Sequence, residues 1–296
     1  MLIRDHFQNF KSYNLQKAQL IIADIPYNIG INAYGSNPSW YIDGDNSKGA
    51  SDLAGKKFFS TDEKFNSAEF MHFCSKMMKK EPKKKGCAPA MILFCSFEQQ
   101  WGLIELAKRY GIKKYINLIF RKNFSPQVLK ANMRIVGNAE YGLLLFRDKL
   151  PKFNNNGKMI FNIIDWEKDR VADPLYEKIH PTQKPIPLLE KLIKIFTDEG
   201  DVVADPVAGS GSTIIAAENL SRKAYGFEIE REVYKKAKEW IDINRKIREE
   251  IKETFFSQTL IDKVNPGQRC LFNNFLPHPT KSAPVVDENE GKSKAR

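Results

Sequence analysis

Cysteine is scarce and scattered in this chain: Cys74, Cys87, Cys95 and Cys270 form no CxxC pair and have no histidine at metal-ligand spacing. That argues against a structural zinc site or a disulfide framework and fits reduced thiols, so no metal is expected. Long apolar runs are missing as well. The chain opens Met1-Leu-Ile-Arg-Asp5 and reaches Lys11 without one, which fits neither a secretory signal nor a membrane span. A soluble, cytoplasmic protein with no membrane partner is expected. Negative charge is also in deficit, with 47 Lys and Arg against 36 Asp and Glu and a formal net charge of +11. An excess of that sign suits a polyanionic partner, because each neutralised phosphate releases counterions.

What is present alternates between strand and helix patterns. Ala18 to Asp24 is a short apolar run that stops before Pro26, which reads as a buried strand ending in a loop. Residues 28–62 lose periodicity and carry repeated glycines, which predicts a long loop. Ser67 to Lys80 places Phe70, Phe73, Cys74 and Met77 at helical spacing, and Ala90 to Cys95 is a second strand. Trp101 to Tyr110 reads as a helix, and Tyr115 to Phe120 and Tyr141 to Phe146 as strands. The irregular stretch 147–180 is the candidate for a small inserted recognition element. Beyond it, Leu188, Leu189, Leu192, Ile193 and Phe196 recur with helical period, Asp201 to Asp205 is a strand, Ser212 to Leu220 a helix, and Lys223 to Glu228 a strand. A long charged helix follows from Arg231. The alternation predicts an α/β fold with a mostly parallel, doubly wound sheet. It forms one domain over 1–276, followed by a disordered polar tail at 277–296.

In Asp205-Pro-Val-Ala-Gly-Ser-Gly-Ser-Thr213, Gly209 and Gly211 fall between a predicted strand and a predicted helix, where a doubly wound sheet binds a nucleoside cofactor. Glu228, at the end of the next strand, stands where an acidic residue commonly holds ribose hydroxyls. A dinucleotide loop wants a third glycine where Ile214 stands, and a P-loop wants a lysine after its last glycine. Neither is present, so a cofactor with an adenosine ribose and no phosphate, such as S-adenosylmethionine, fits better.

Asp24-Ile-Pro-Tyr27 lies at the predicted end of its strand, the edge where open sheets bind ligands. An exocyclic amine on a nucleobase is a poor nucleophile because its lone pair is delocalised into the ring. Acceptors aimed at both amine hydrogens localise that pair. Asp24 supplies one, and the Ile25 carbonyl, before Pro26, supplies a second. Tyr27 offers a face for an extruded base, worth about 1–3 kcal/mol by analogy with stacking in single-strand binders. Taken alone, the same tetrapeptide reads as a capped turn with a packed tyrosine.

Together, Asp24-Ile-Pro-Tyr27, His180-Pro-Thr-Gln-Lys-Pro185, the Asp205 to Thr213 loop, and Gly226-Phe-Glu228 with Tyr234 resemble the beta class of DNA amino-methyltransferases. In that class the catalytic loop comes first and the cofactor loop late, as it does here. The resemblance implies a Rossmann-like, S-adenosylmethionine-dependent methyltransferase fold with permuted motif order. It also implies double-stranded DNA as substrate, adenine N6 as acceptor, and restriction-modification as a setting; a homodimer stays open. Catalytic roles fall on Asp24, Ile25, Pro26 and Tyr27. Cofactor contacts fall on Asp5, His6, Thr182, Lys184, Asp205, Pro206, Val207, Gly209, Ser210, Gly211, Ser212, Thr213 and Glu228.

Two departures stand out: Ile25 where the family usually has proline, and Val207 where it usually has phenylalanine. They keep open a non-catalytic DNA-binding protein on a decayed scaffold, and cytosine-N4 transfer is the other alternative. Trp40 in the long loop is a candidate DNA wedge. Arg121, Lys122, Asn123, Lys130, Asn132 and Arg134 form a basic, amide-rich stretch suited to phosphates and base edges.

Overall fold

A computed structural model describes residues 1–27, 65–123, 127–130, 135–166, 179 and 183–264. The long loop with Trp40, the positions of Asn132, Arg134 and Thr182, and the expected tail lie outside the described residues.

The centre is an eight-stranded sheet built from β1 (Leu2–Ile3), β2 (Leu20–Asp24), β3 (Ala90–Cys95), β4 (Lys114–Lys122), β7 (Ala139–Phe146), β8 (Ile163–Trp166), β9 (Val202–Asp205) and β10 (Lys223–Phe227). Its order is β1-β10-β9-β2-β3-β7-β4-β8, and every strand runs the same way except β7. The reversal is local, because β4 leads into β7 through a two-stranded hairpin, β5 (Gln127–Lys130) and β6 (Ile135–Gly137). Antiparallel neighbours need no long crossover. The expected α/β, mostly parallel sheet is the one found.

Helices cover both faces. On one lie a 3-10 turn (Phe7–Ser12), α1 (Ser67–Met77) and α2 (Gln99–Arg109). On the other lie α3 (Ile186–Phe196), α4 (Ser212–Asn219) and the first turns of α5 (Arg231–Val264). Strand alternation divides the core accordingly: Ile21, Ala23 and Ile25 point into the first cluster, Leu20 and Ile22 into the second. With cover on both sides, β2, β3 and β9 read in sequence as near-continuous apolar runs. The helical spacing of Phe70, Phe73, Cys74 and Met77, and of Leu188, Leu189, Leu192, Ile193 and Phe196, marks the buried stripes of α1 and α3. Among the described residues, no helix is long and apolar enough to cross a membrane.

Residues 147–166, the first part of the stretch read as an insertion, are hydrogen-bonded to the body, while most of 167–182 lies outside the described residues. The Arg147 guanidinium donates to the carbonyls of Lys79 (2.9 Å) and Ser75 (3.0 Å) at the end of α1. Asn154 Nδ2 donates to the Thr197 carbonyl at 3.0 Å, just past α3. Both satisfy carbonyls that a helix end leaves without partners. β8 then extends the sheet beside β4, with Ile164 and Trp166 turned inward. Met1–Arg248 is one compact unit and Glu249–Arg296 a second.

Gly211 joins the loop after β9 to α4 with φ +78°, and a Cβ there would meet Ile241 Cδ1 at 2.7 Å. Gly211→Ala combines left-handed strain with overpacking, so a loss of about 2 kcal/mol or more is expected. Urea unfolding of the two proteins measures it, and equal midpoints would refute the account.

Candidate active site

The adjacency of β2 and β9 creates the site. Leu20 pairs with Val203 and Ile21 with Ala204, so Asp24 ends its strand roughly 6–7 Å further along than Asp205 ends the other. This is also where chain order reverses: β9 continues toward β10 and β2 toward β3, on opposite sides. In open α/β sheets the crevice outside the strand ends at such a point receives ligands.

A cavity of about 220 Å³ opens there. Asp24, Ile25, Pro26 and Tyr27 form part of its wall, and Asp205 through Ser210 with Ser212, Thr213 and Glu228 form another. Gly209 has φ +50° and nothing within 4 Å of a notional Cβ, so its backbone can be approached closely. Glu228 accepts from the Gly209 N–H at 2.9 Å and from the Glu230 N–H at 2.7 Å, and burial raises its pKa. Burial likewise pushes Asp205 up to about 7, although the Thr213 hydroxyl and the Val207 N–H both donate to it. Asp24 and Glu140, also in the wall, are balanced by Lys184 and Lys122, so the excess of acids in the lining rests on Asp205, Glu228 and Glu230. Such a lining repels phosphate and favours a cationic ligand.

Beside Asp24 lies a buried charge cluster. Lys184 Nζ donates to Asp24 Oδ2 at 2.5 Å and stands 3.3 Å from Glu140 Oε1. Lys122 Nζ is 3.3 Å from Glu140 Oε2, and the Tyr27 hydroxyl donates to Glu140 Oε1 at 3.1 Å. The rings of Phe94 and Trp166 flank the Lys184 ammonium at 5.1 and 5.6 Å. Burial raises the Asp24 pKa against the pull of Lys184. Burial opposes ionisation of Glu140 too, but Lys184 and Lys122 outweigh it and hold Glu140 below the usual carboxylate range. The two carboxylates in turn overcome burial at Lys184 and strengthen its grip on its proton. Asp24 Oδ1 is buried and has no hydrogen-bond partner among the described residues.

The family model for N6/N4 DNA methylases matches residues 18–239. The chain belongs to the DNA methylase family. Among curated relatives, the DNA adenine methyltransferase YhdJ of Escherichia coli is 28% identical over 246 residues, covering 81% of each chain. Among solved structures, the M1.HpyAVI complex with S-adenosylmethionine superposes with a TM-score of 0.56 at 21% identity, covering 81% of this chain and 99% of that one. The cytosine-N4-specific PvuII DNA methyltransferase gives 0.55 at 15% identity, over 83% and 91%. These likenesses show the fold.

Within this DNA methylase, the residues singled out from sequence are distributed unevenly. His6, Lys184, Asp205, Pro206, Val207, Gly209, Ser210, Ser212, Thr213 and Glu228 line the cavity. Asp5 instead orders the first turn, accepting from the His6 N–H (2.7 Å), Asn9 Nδ2 (2.7 Å) and the Tyr13 hydroxyl (2.8 Å). Gly211 packs against α5. Lys184, expected beside a cofactor, has its ammonium engaged by Asp24 and Glu140. Lys122, expected on a phosphate, turns inward to Glu140 and the Trp166 ring at 4.5 Å, its side chain 14% exposed. The cause is strand alternation: the preceding Arg121 faces outward and pairs with Asp165 at 2.7 Å, and Asn123 is exposed. Lys130 ends β5.

Sequence reasoning missed Glu140, and the signal for it was a single acid at the head of the apolar run Tyr141-Gly-Leu-Leu-Leu-Phe146. It also missed Gln99, whose Nε2 donates to the Pro26 carbonyl at 2.9 Å and steadies the catalytic-loop candidate.

Because burial pushes Asp205 up to about 7 when folded, against an ordinary 3.8 for an aspartate, the folded state holds its proton more tightly. Its contribution to stability is full below about pH 4 and is lost as pH rises through about 7. The Asp205→Asn variant should therefore gain on wild type by about 2–3 kcal/mol between pH 5 and pH 8. Ligand-free unfolding at the two pH values checks this, and a pH-independent difference would contradict it.

Proposed function

We propose that this protein transfers a methyl group from S-adenosylmethionine to the N6 amine of an adenine extruded from double-stranded DNA. One observation carries the reading: a carboxylate with a buried oxygen that has no partner among the described residues and a glycine loop open on one cavity from the ends of neighbouring strands. Family membership and the adenine specificity named for the E. coli relative support it.

The residues present fit the cofactor. Glu228, fixed by two backbone donors, keeps carboxylate lone pairs for ribose hydroxyls, and Gly209 admits close approach. Val207 and His6 add apolar and aromatic wall, and Thr182 belongs to the same proposed set. The acids in excess balance a cation, and Asp205, partly protonated near its raised pKa of about 7, can ionise further against it. When bound, the cofactor supplies an electrophilic methyl group on a positively charged sulfur.

The rest is done by the chain. Asp24 Oδ1 accepts one hydrogen of the target amine and the Ile25 carbonyl accepts the other, which localises the nitrogen lone pair. Ile25 replaces a proline without loosening this loop: its side chain is 1% exposed, packed with the cluster around α1 and α2, and its N–H donates to the Phe94 carbonyl at 3.2 Å. Tyr27 presents a ring against which the base stacks. Arg121 and Asn123 lie exposed at the end of β4, on the edge that bears Asp24, and take DNA contacts there; Lys130, on the hairpin after β4, is assigned to the same surface. The Arg121–Asp165 pair is solvent-exposed and yields readily to a phosphate.

Asp24→Ala should keep cofactor binding by calorimetry and lose at least about two orders of magnitude in turnover. Near-normal turnover would refute the role. Nucleoside analysis of DNA methylated by the wild type should give N6-methyladenine, whereas N4-methylcytosine would overturn the assigned base.

A further inference from the structure

Glu140 has no part in the chemistry just described, yet it engages Tyr27, Lys184 and Lys122 at once. It stands at the head of β7, the one reversed strand, with its backbone paired to Phe120 on β4 and its next neighbours, Tyr141 and Gly142, paired to Cys95 and Phe94 on β3. Its position is therefore set by the sheet and not by a loop. From there one carboxylate oxygen receives the Tyr27 hydroxyl at 3.1 Å and lies 3.3 Å from Lys184, while the other lies 3.3 Å from Lys122. Lys184 passes the connection on to Asp24.

We propose that Glu140 is the positioning residue of the catalytic loop, anchoring Tyr27 directly and Asp24 through Lys184, so that one Asp24 oxygen is held and the other is left for the amine. The inference rests on the methyltransferase reading of Asp24. Asp24 is the last paired residue of β2, opposite Phe94, and Tyr27 lies three residues beyond it, so Glu140 supplies lateral restraint where strand pairing ends. Two carboxylates and two ammonium groups close the cluster at zero net charge, a condition for keeping them ionised away from water. Lys184 must stay protonated to hold Asp24. Deprotonated, it gives up the ionic contact and leaves the carboxylate free to turn.

The ionisable groups around Lys184 decide the sign of the pH effect. Asp24 faces it from β2, Glu140 from β7 and Lys122 from β4 behind Glu140; Tyr27 meets Glu140, and Asp205 on β9 and Cys95 on β3 act on it through Asp24. Glu140→Gln removes one of the two negative charges that hold the Lys184 proton. Its deprotonation, and with it the alkaline limb of kcat, moves to lower pH.

The test compares wild type, Glu140→Gln and Glu140→Asp as full-length proteins on double-stranded DNA, with S-adenosylmethionine affinity measured alongside. The Gln variant should lose at least about tenfold in kcat, the scale of a small misplacement of a reacting group, and keep its cofactor affinity within about threefold. Its alkaline limb should fall by about one pH unit, the size of a neighbouring-charge effect, and return toward wild type with Asp. A Gln variant with wild-type kcat and an unmoved limb would overturn the proposal. So would one that loses cofactor affinity together with turnover, since that is a general structural failure. A wild type that methylates no DNA would sink the function itself, and this proposal with it, whereas an active wild type beside an unaffected variant sinks this proposal alone.

Discussion

Everything in the site follows from one lateral contact, the parallel pairing of β2 with β9. The two strands are far apart in the chain, and parallel neighbours cannot be joined by a short turn. Their hydrogen bonds, begun where the Gln19 N–H donates to the Val202 carbonyl at 2.8 Å, bring the two C-terminal ends to one edge. The acid of the first strand and the glycine loop of the second then share a cavity without either loop having to reach. The same pairing makes a permuted motif order harmless. What the site requires is that two strands be neighbours, and the sheet is indifferent to which of them the chain visits first.

A second constraint is electrostatic. Packing Asp24, Glu140, Lys184 and Lys122 into a nearly closed volume costs solvation at every group, and buried ion pairs are weak contributors to stability. A hydrophobic core of the same shape would serve folding as well or better. The arrangement makes sense as preorganisation, in which polar groups are fixed before the reacting molecule arrives and need not reorganise when charge shifts. The flanking rings of Phe94 and Trp166 serve the same end by keeping water from the ammonium group.

Most of the scaffold was readable from residue order alone, for reasons that also explain the failures. β2, β3 and β9 are covered on both faces, so their sequences are unbroken apolar runs, and α1 and α3 each bury a stripe with helical period. The glycine loop was readable because its signal is backbone freedom, which only glycine supplies. β8 was not, since it has four residues, two of them inward, behind a polar stretch that resembles a loop. Lys122 and Arg121 are both basic, and only the pleat of β4 sends one toward the cavity and its neighbour toward solvent. Glu140 escaped notice because a lone acid at a strand end usually faces water. Its meaning depends on Lys184, a partner that sequence distance conceals.

The charge distribution separates the two ligands that the proposed reaction needs. The chain carries +11 overall, yet beyond the balanced cluster of Asp24, Glu140, Lys184 and Lys122 the wall of its cavity adds the acids Asp205, Glu228 and Glu230. A polyanion is thus drawn to the molecule but repelled from its interior, while a small cation is drawn inward. Only a neutral part of the polyanion can enter without electrostatic cost, and a single base turned out of the helix is such a part. The same field favours departure of the spent cofactor, because a donor that has given up its methyl group has also given up the positive charge on sulfur. Attraction to the acidic wall is therefore strongest before transfer and weaker after it, a bias toward turnover that follows from the lining alone.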